Sequence, residues 1–204
     1  MFGFLRSDTT ASATPDLEGG AVYLKPPQIG DWQAWAELRT ASRAFLEPWE
    51  PKWAEAALTR AAFRRRLRRL ARESREDTGY GFFVFRRDDH ALVGGVNLSN
   101  VQRGVAMSCS LGYWAGMKCA RQGVMGDALG ALMPFVFERL GLYRLEAACL
   151  PTNVASERLL RKLGFQQEGY ARNYLRINGA WQDHLLFALL ASDSLGNGKR
   201  NGDG

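Results

Sequence analysis

LGYWAGMKCARQGVMGDALGALMPFVFERLGLYRLEAACLPTNVASERLLRKLGF, residues Leu111 to Phe165, is the stretch of this 204-residue chain that decides its fold. It opens by completing a strand, Val105 to Trp114, whose Met107, Cys109, Leu111 and Tyr113 face is more apolar than its Ala106, Ser108, Ser110 and Gly112 face. A glycine-bearing loop leads into a helix in which Met125, Ala128, Leu129, Leu132, Phe135, Val136 and Leu140 recur at helical spacing, and Gly141 ends it. Tyr143 to Cys149 reads as a strand, and Thr152 to Leu163 as a second helix closed by Gly164.

Upstream, Ala21 to Lys25 alternates as a strand that Pro26 and Pro27 end, and Asp31 is placed to cap a helix carrying Trp32, Trp35, Ala36 and Leu38 to about Arg43. Leu46-Glu47-Pro48-Trp49-Glu50-Pro51 holds two prolines and is expected to be a rigid, non-helical turn. Tyr80 to Arg86 and Ala91 to Asn97 flank the turn Arg87-Asp88-Asp89-His90 as two strands. Downstream, Phe165 to Tyr170 begins a last strand pair that turns at Asn178-Gly179. The order β, α, α, β, β, β, α, β, α, β, β predicts an α/β (α+β) protein with a mixed sheet, not a doubly wound parallel one. Residues 1–20 and 194–204 lack periodicity and read as tails, which leaves one domain over 21–193.

Apolar residues at 46% and charged residues at 24% exclude whole-chain disorder and fibrous architectures. The longest apolar run, Leu185 to Ala191, falls far short of the roughly 20 residues of a membrane helix. Met1 to Leu5 lacks the pattern of a secretory signal, so the cytoplasm is the expected compartment and no membrane partner is expected. Three cysteines and two histidines are too scattered for a metal site or a disulfide framework. The net charge of +6 is concentrated between Arg60 and Glu76, where eight arginines meet two glutamates. Phe63, Leu67 and Leu70 form one apolar stripe there, so the segment is an amphipathic basic helix. Its arginines suit either a solvated outer face or a footprint for RNA phosphate.

Two loops carry chemistry. Ala115 to Gly126 leaves a strand and enters a helix through glycines, presenting unpaired N–H groups and the positive helix end to an anion. It is neither a Walker loop nor a G-x-G-x-x-G string. At Pro151 to Phe165, Thr152 or Asn153 caps the helix, with Ser156 or Glu157 at the third helical position and an αL stop at Gly164.

Taken together, the glycine-rich loop and the N-x-x-S-x-x-L-L-x-K-x-G-F run, followed by Glu168-Gly169-Tyr170, resemble the acetyl-coenzyme A site of the Gcn5-related N-acetyltransferase (GNAT) superfamily. Leu46-Glu47-Pro48-Trp49, Leu92 to Leu98, Leu111-Gly112-Tyr113-Trp114, Arg144-Leu145-Glu146-Ala147 and Asn178-Gly179-x-Trp181-x-Asp183 add a resemblance to the RimJ and RimL ribosomal-protein alanine N-acetyltransferases. The resemblance implies a mostly antiparallel twisted sheet of six or seven strands with a splayed central pair and about four helices. It implies acetyl-CoA as donor, its pantetheine arm lying along the backbone of Tyr113, Trp114 and Ala115. Arg121, Gln122, Gly123, Val124, Met125 and Gly126 would hold the pyrophosphate. Asn153 would bind the pantetheine end, and Ser156 would donate a hydrogen bond to the departing thiolate. The chain departs from the superfamily loop R/Q-x-x-G-x-G/A at Ala120 and Met125, and Leu160 stands where many members carry a tyrosine acid. Glu146 is the candidate base, with a salt bridge to an arginine as its alternative role. Trp49, Tyr174 and Trp181 would rim the acceptor cleft, core packing being the competing role for each aromatic, and Asp183 would meet a cationic amine. The implied acceptor is the N-terminal alanine or serine of a ribosomal protein. Acetylation of a small amine such as an antibiotic or polyamine, and a non-catalytic acyl-CoA- or RNA-binding module, are the alternatives. A monomer or homodimer fits equally.

Overall fold

A computed structural model describes residues 14–193, so the tail assignments for residues 1–13 and 194–204 lie outside the described residues. The strands are β1 (Leu17–Glu18), β2 (Val22–Lys25), β3 (Tyr80–Arg86), β4 (Leu92–Gln102), β5 (Ser108–Ala115), β6 (Arg144–Cys149), β7 (Gln166–Ile177) and β8 (Ala180–Leu190). The helices are α1 (Trp32–Ala41), α2 (Arg43–Leu46), α3 (Arg60–Arg75), α4 (Val124–Pro134) and α5 (Val154–Lys162), with short 3-10 turns between them. All eight strands form one sheet in the order β1-β2-β3-β4-β5-β6-β8-β7. Among the described residues every neighbouring pair is antiparallel except β5 with β6.

Among the described residues the sheet therefore has eight strands where six or seven were expected, flanked by five α-helices where about four were. The added strand, β1, falls inside the segment read as a tail. Gly19 N–H bonds the Val22 carbonyl at 2.9 Å and Ala21 N–H bonds Asp127 at 2.8 Å, so a tight glycine turn folds Leu17 back onto Leu24. A strand of two residues is too short to show alternation. The proline turn is a second difference, because Glu47–Trp49 forms a 3-10 turn after α2. Pro48 sits in its opening positions, where a missing N–H costs no helical bond.

Local chemistry explains the other boundaries. Thr59 caps α3 by accepting from Ala62 N–H at 3.2 Å, and Asn153 caps α5 by accepting from Ser156 N–H at 3.1 Å. Gly164, at φ +91°, ends α5 while Phe165 N–H bonds the Leu160 carbonyl at 3.0 Å. Pro134 disturbs the long helix, which continues as a π-helical turn over Phe135–Arg139.

The sheet buries both faces. On one, Val84, Val96, Leu111 and Leu145 pack with Leu129, Leu132 and Val136 of the α4 stretch and Leu160 of α5. On the other, Phe83, Phe85 and Leu92 pack with Trp35 of α1 and Phe63 of α3. Tilted and stacked rings of Trp35, Phe63 and Phe83, 5.0 and 6.1 Å apart, pin the arginine helix by its apolar stripe.

Candidate active site

The single parallel pair makes the site. β5 and β6 are in register only from Ser108 opposite Arg144 to Leu111 opposite Ala147. Beyond that point Ala148 and Cys149 pair with β8 alone, while Gly112 to Ala115 pair with β4 alone. The two strands thus diverge into a V, and the β5 edge along Tyr113, Trp114 and Ala115 keeps backbone groups that no strand takes up. Such an edge receives an extended amide-bearing ligand by strand-like hydrogen bonding. The β4 glycines make room for Trp114 beside that edge. A Cβ on Gly95 would sit 2.6 Å from Trp114 Nε1, and one on Gly94 would sit 2.4 Å from the Trp114 carbonyl oxygen.

At the end of β5 the chain enters α4 through Arg121, Gln122 and Gly123, all exposed. Gly123 is the N-cap, at φ +80°, and no side chain caps the helix. Its first-turn N–H groups are therefore free to meet an anion. Val124 and Met125 bury their side chains in the core, so they can serve a ligand only through their backbone. The loop itself is braced, since Met117 N–H bonds Ser42 Oγ at 2.9 Å and Gln122 Nε2 bonds the Lys118 carbonyl at 2.8 Å.

On the α4/α5 face of the V, Ser156 Oγ lies 2.7 Å from Tyr113 Oη. Burial pushes the Tyr113 phenol up to about 12, partly offset by its hydrogen bond with Ser156, in which either hydroxyl can donate. Burial likewise raises the Cys149 thiol beside them. Tyr113 was expected to serve through its backbone, and the contact its phenol makes was not legible in the sequence. The strand alternation had placed Tyr113 at the end of the apolar face, but its partner lies 43 residues away in the chain. Asn153 spends its side-chain oxygen on the α5 cap, which leaves its amide nitrogen for a ligand.

Glu146 lies on the opposite face of the sheet, where Arg144 Nε bonds its carboxylate at 2.7 Å. Arg144 also grips Glu168 with both terminal nitrogens, which holds the Glu168 carboxyl below its ordinary range. Glu146 is thus in the arginine salt bridge that was its alternative role. On the same face, Arg39 forms a two-pronged ion pair with Glu50 at 2.7 and 2.5 Å, sandwiched between the rings of Trp53 at 4.2 Å and Trp114 at 4.8 Å. Nothing in the local sequence signalled this cluster, because its members come from α1, the following turn and β5.

The β7–β8 hairpin closes over that side, with Asn178 N–H bonding the Glu50 carbonyl at 2.8 Å. Trp49 is half-buried, whereas Tyr174 and Trp181 are 47% and 62% exposed, so core packing does not describe the latter two. Asp183 is committed elsewhere. It accepts from Tyr170 Oη at 2.5 Å and Asn173 N–H at 2.8 Å, holding the irregular stretch of β7, and these bonds lower its carboxyl. The expected contact between Asp183 and a cationic amine thus competes with two internal bonds.

A model of the acetyltransferase (GNAT) domain matches residues 21–166. The chain belongs to the GNAT acetyltransferase family. It is 36% identical over 167 residues to the ribosomal protein uS5-alanine N-acetyltransferase of Escherichia coli K12, covering 81% of this chain and 86% of that protein. The ribosomal-protein-S5-alanine acetyltransferase of Vibrio fischeri superposes with a TM-score of 0.81 at 30% identity, over 88% of this chain and 98% of that one. RimJ of Mycobacterium smegmatis, solved in complex with CoA-disulfide, also gives 0.81, at 29% identity over 91% and 94%. As a GNAT N-acetyltransferase, the enzyme takes its acetyl group from acetyl-CoA. The open V, the glycine-capped helix and the absence of a side chain at the α4 cap all fit that cofactor's pantetheine and pyrophosphate.

Proposed function

We propose that the enzyme acetylates the N-terminal amine of a protein, a ribosomal protein beginning with alanine or serine, in the cytoplasm. One observation carries this reading: the V holds a hydrogen-bonded pair, Ser156 with Tyr113, and the β7–β8 hairpin that bonds the Glu50 turn beside it carries the exposed Tyr174 and Trp181. A rim of exposed aromatics on a hairpin suits an extended peptide better than a small enclosed amine. The relatives that act on uS5 point the same way.

Acetyl-CoA supplies the activated acyl group when bound. The chain brings the two reactants together at the V, which converts a bimolecular encounter into an oriented one. Ser156 donates its hydroxyl hydrogen toward the departing sulfur, and Tyr113 donates in turn to Ser156. With its phenol at about 12, well above the roughly 8.5 of a thiol, Tyr113 keeps its proton, so the pair stabilises thiolate charge by hydrogen bonding. An N-terminal amine titrates near 8, so Glu146, directly or through a water, has only a modest deprotonation to assist.

Coenzyme A release, followed with a thiol-reactive dye over a panel of N-terminal peptides and small amines, tests the reading. Turnover of alanine- and serine-initiated peptides above all small amines is the expected result. Preference for a polyamine or antibiotic amine, or no release with any acceptor, overturns it.

A further inference from the structure

Between α1, α3 and the segment joining them lies a cleft of about 400 Å³. Arg39, Lys52, Arg65, Arg66 and Arg69 line it, together with the ring of Trp53, and no carboxylate is among its lining residues. Two of these cations are answered from outside the lining, Arg39 by Glu50 and Arg69 by Glu73 at 3.5 Å. Lys52, Arg65 and Arg66 have no ion pair among the described residues. Arg66 stands out, because its Nε is shut off from solvent with no hydrogen-bond partner, as is the Nε of Arg39. Desolvation and repulsion from Arg69 and Arg39 pull the Arg66 guanidinium down to about 10, against a smaller opposing pull from Glu50 and Glu73, so it remains charged at neutral pH. A largely desolvated cation beside like charges, whose nearby carboxylates Glu50 and Glu73 are already paired with Arg39 and Arg69, is costly in the free protein, and an anion from outside lowers that cost.

Shape and position narrow the class of anion. The remaining walls are small or apolar, Ala54, Ala57, Leu58 and Ala62 with Trp35, and they suit a short aliphatic stem that ends in a planar carboxylate. Arg39 joins the cleft to the V, since Trp53 of the cleft and Trp114 of the β5 rim stack on its two sides. Trp114 lies on the face opposite Ser156, the face on which the acceptor enters under the proposed function. We propose that this cleft is a carboxylate site, in which an acidic side chain within the first few residues of the acceptor seats on Arg66 while the N-terminal amine reaches the V. The inference rests on the reading of the acceptor as a peptide.

Two measurements on the full chain test it. In the first, alanine-initiated peptides carry a single glutamate walked from position two to position six, each paired with its glutamine counterpart. At one position the parent enzyme favours glutamate at least tenfold in kcat/KM, the difference lying in KM. Arg66→Met abolishes the preference while sparing glutamine peptides, and Arg64→Met, outside the cleft, changes neither. In the second, the Nε–Hε resonance of Arg66 shifts with N-acetylglutamate amide at millimolar concentration and not with N-acetylglutamine amide. Inorganic phosphate, acetate and a short RNA form the control arms. A shift with acetate as well shows that any small carboxylate fills the site, and the peptide preference then identifies the source that matters for turnover. Equal rates for all peptide pairs, a preference that survives Arg66→Met, or an Arg66 resonance that answers phosphate or RNA but not carboxylate overturns the proposal. If no peptide is acetylated, the peptide reading fails by itself, and an unmoved Arg66 resonance is what rejects the cleft.

Discussion

Under the proposed function, Ser156 and Tyr113 would share the task that the superfamily resemblance gives to one tyrosine at the helix position held here by Leu160, which is fully buried. The 2.7 Å contact between them orients the serine hydroxyl, and burial keeps the phenol protonated across the working pH range. Ser156→Ala should lower kcat by roughly ten- to a thousandfold with acetyl-CoA affinity nearly unchanged, since the bond matters most as thiolate charge develops. Tyr113→Phe should cost less, roughly tenfold, because Ser156 survives without its orienting partner. Glu146→Gln should slow turnover near pH 6, where the acceptor amine is protonated, and have little effect near pH 9, with the amine pKa at about 8 setting the boundary. Steady-state kinetics beside calorimetric binding checks all three. Equal kcat for parent and Ser156→Ala would take the serine out of the chemistry. The serine was legible from its place in the capped helix, but its partner was not, because contact between a strand and a helix is settled by packing.

Among the elements, the entry to α4 matters most. Gly123 adopts φ +80°, a conformation that L side chains rarely take, and a Cβ there would meet nothing within 4 Å. The requirement is thus in the backbone and in the ligand, with no crowding from the protein itself. Gly123→Val should weaken acetyl-CoA binding by about 2 kcal/mol or more, through lost charge-assisted bonds to the pyrophosphate. Gly123→Asn, which tolerates the left-handed region, should retain more of the affinity. Calorimetric titration of both folded variants decides this, and unchanged affinity in Gly123→Val removes the loop from the site. The Ala120 and Met125 departures from the superfamily pattern fit this view. Met125 packs in the core, so under the proposed function the anion would be left to backbone N–H groups and the exposed Arg121.

At the scale of the molecule, the net charge of +6 is matched by the segment from Arg60 to Glu76, which is α3 with its C-cap, and that helix has one face in the core, one lining the cleft and one exposed. Phe63 is fully buried and Leu70 nearly so, which anchors α3, while Arg65, Arg66 and Arg69 look into the cleft. Arg64, Arg68 and Arg75 are exposed outside that cleft and form none of the ion pairs described. If the acceptor is met on a ribosomal particle, these outer arginines raise its local concentration by long-range attraction, which falls off over roughly 8 Å at physiological salt. Reversing the charge of Arg64, Arg68 and Arg75 should leave turnover of a short peptide within about twofold while weakening co-sedimentation with ribosomal particles at low salt. Identical sedimentation for parent and variant would leave this outer face merely solvated.

Periodicity and turn chemistry act over a few residues, and they were enough to determine most elements in order, the Gly164 stop, the Asn178-Gly179 turn and the apolar stripe of α3. The same local rules placed a glycine-capped helix after a strand, and the resemblance of that junction to the GNAT loop carried the acetyl-CoA assignment. Tertiary structure alone decided what depends on pairing between distant segments. β1 exists because two glycines fold Leu17 onto Leu24, and the V exists because β5 and β6 part after Leu111. Glu146 becomes an ion-pair partner of Arg144, and Arg39 joins Glu50, Trp53 and Trp114 into one stack. Arg66 is left without an ion pair of its own because the packing of α3 on α1 desolvates it beside Arg39 and Arg69, which take up Glu50 and Glu73, and no local sequence pattern records that geometry.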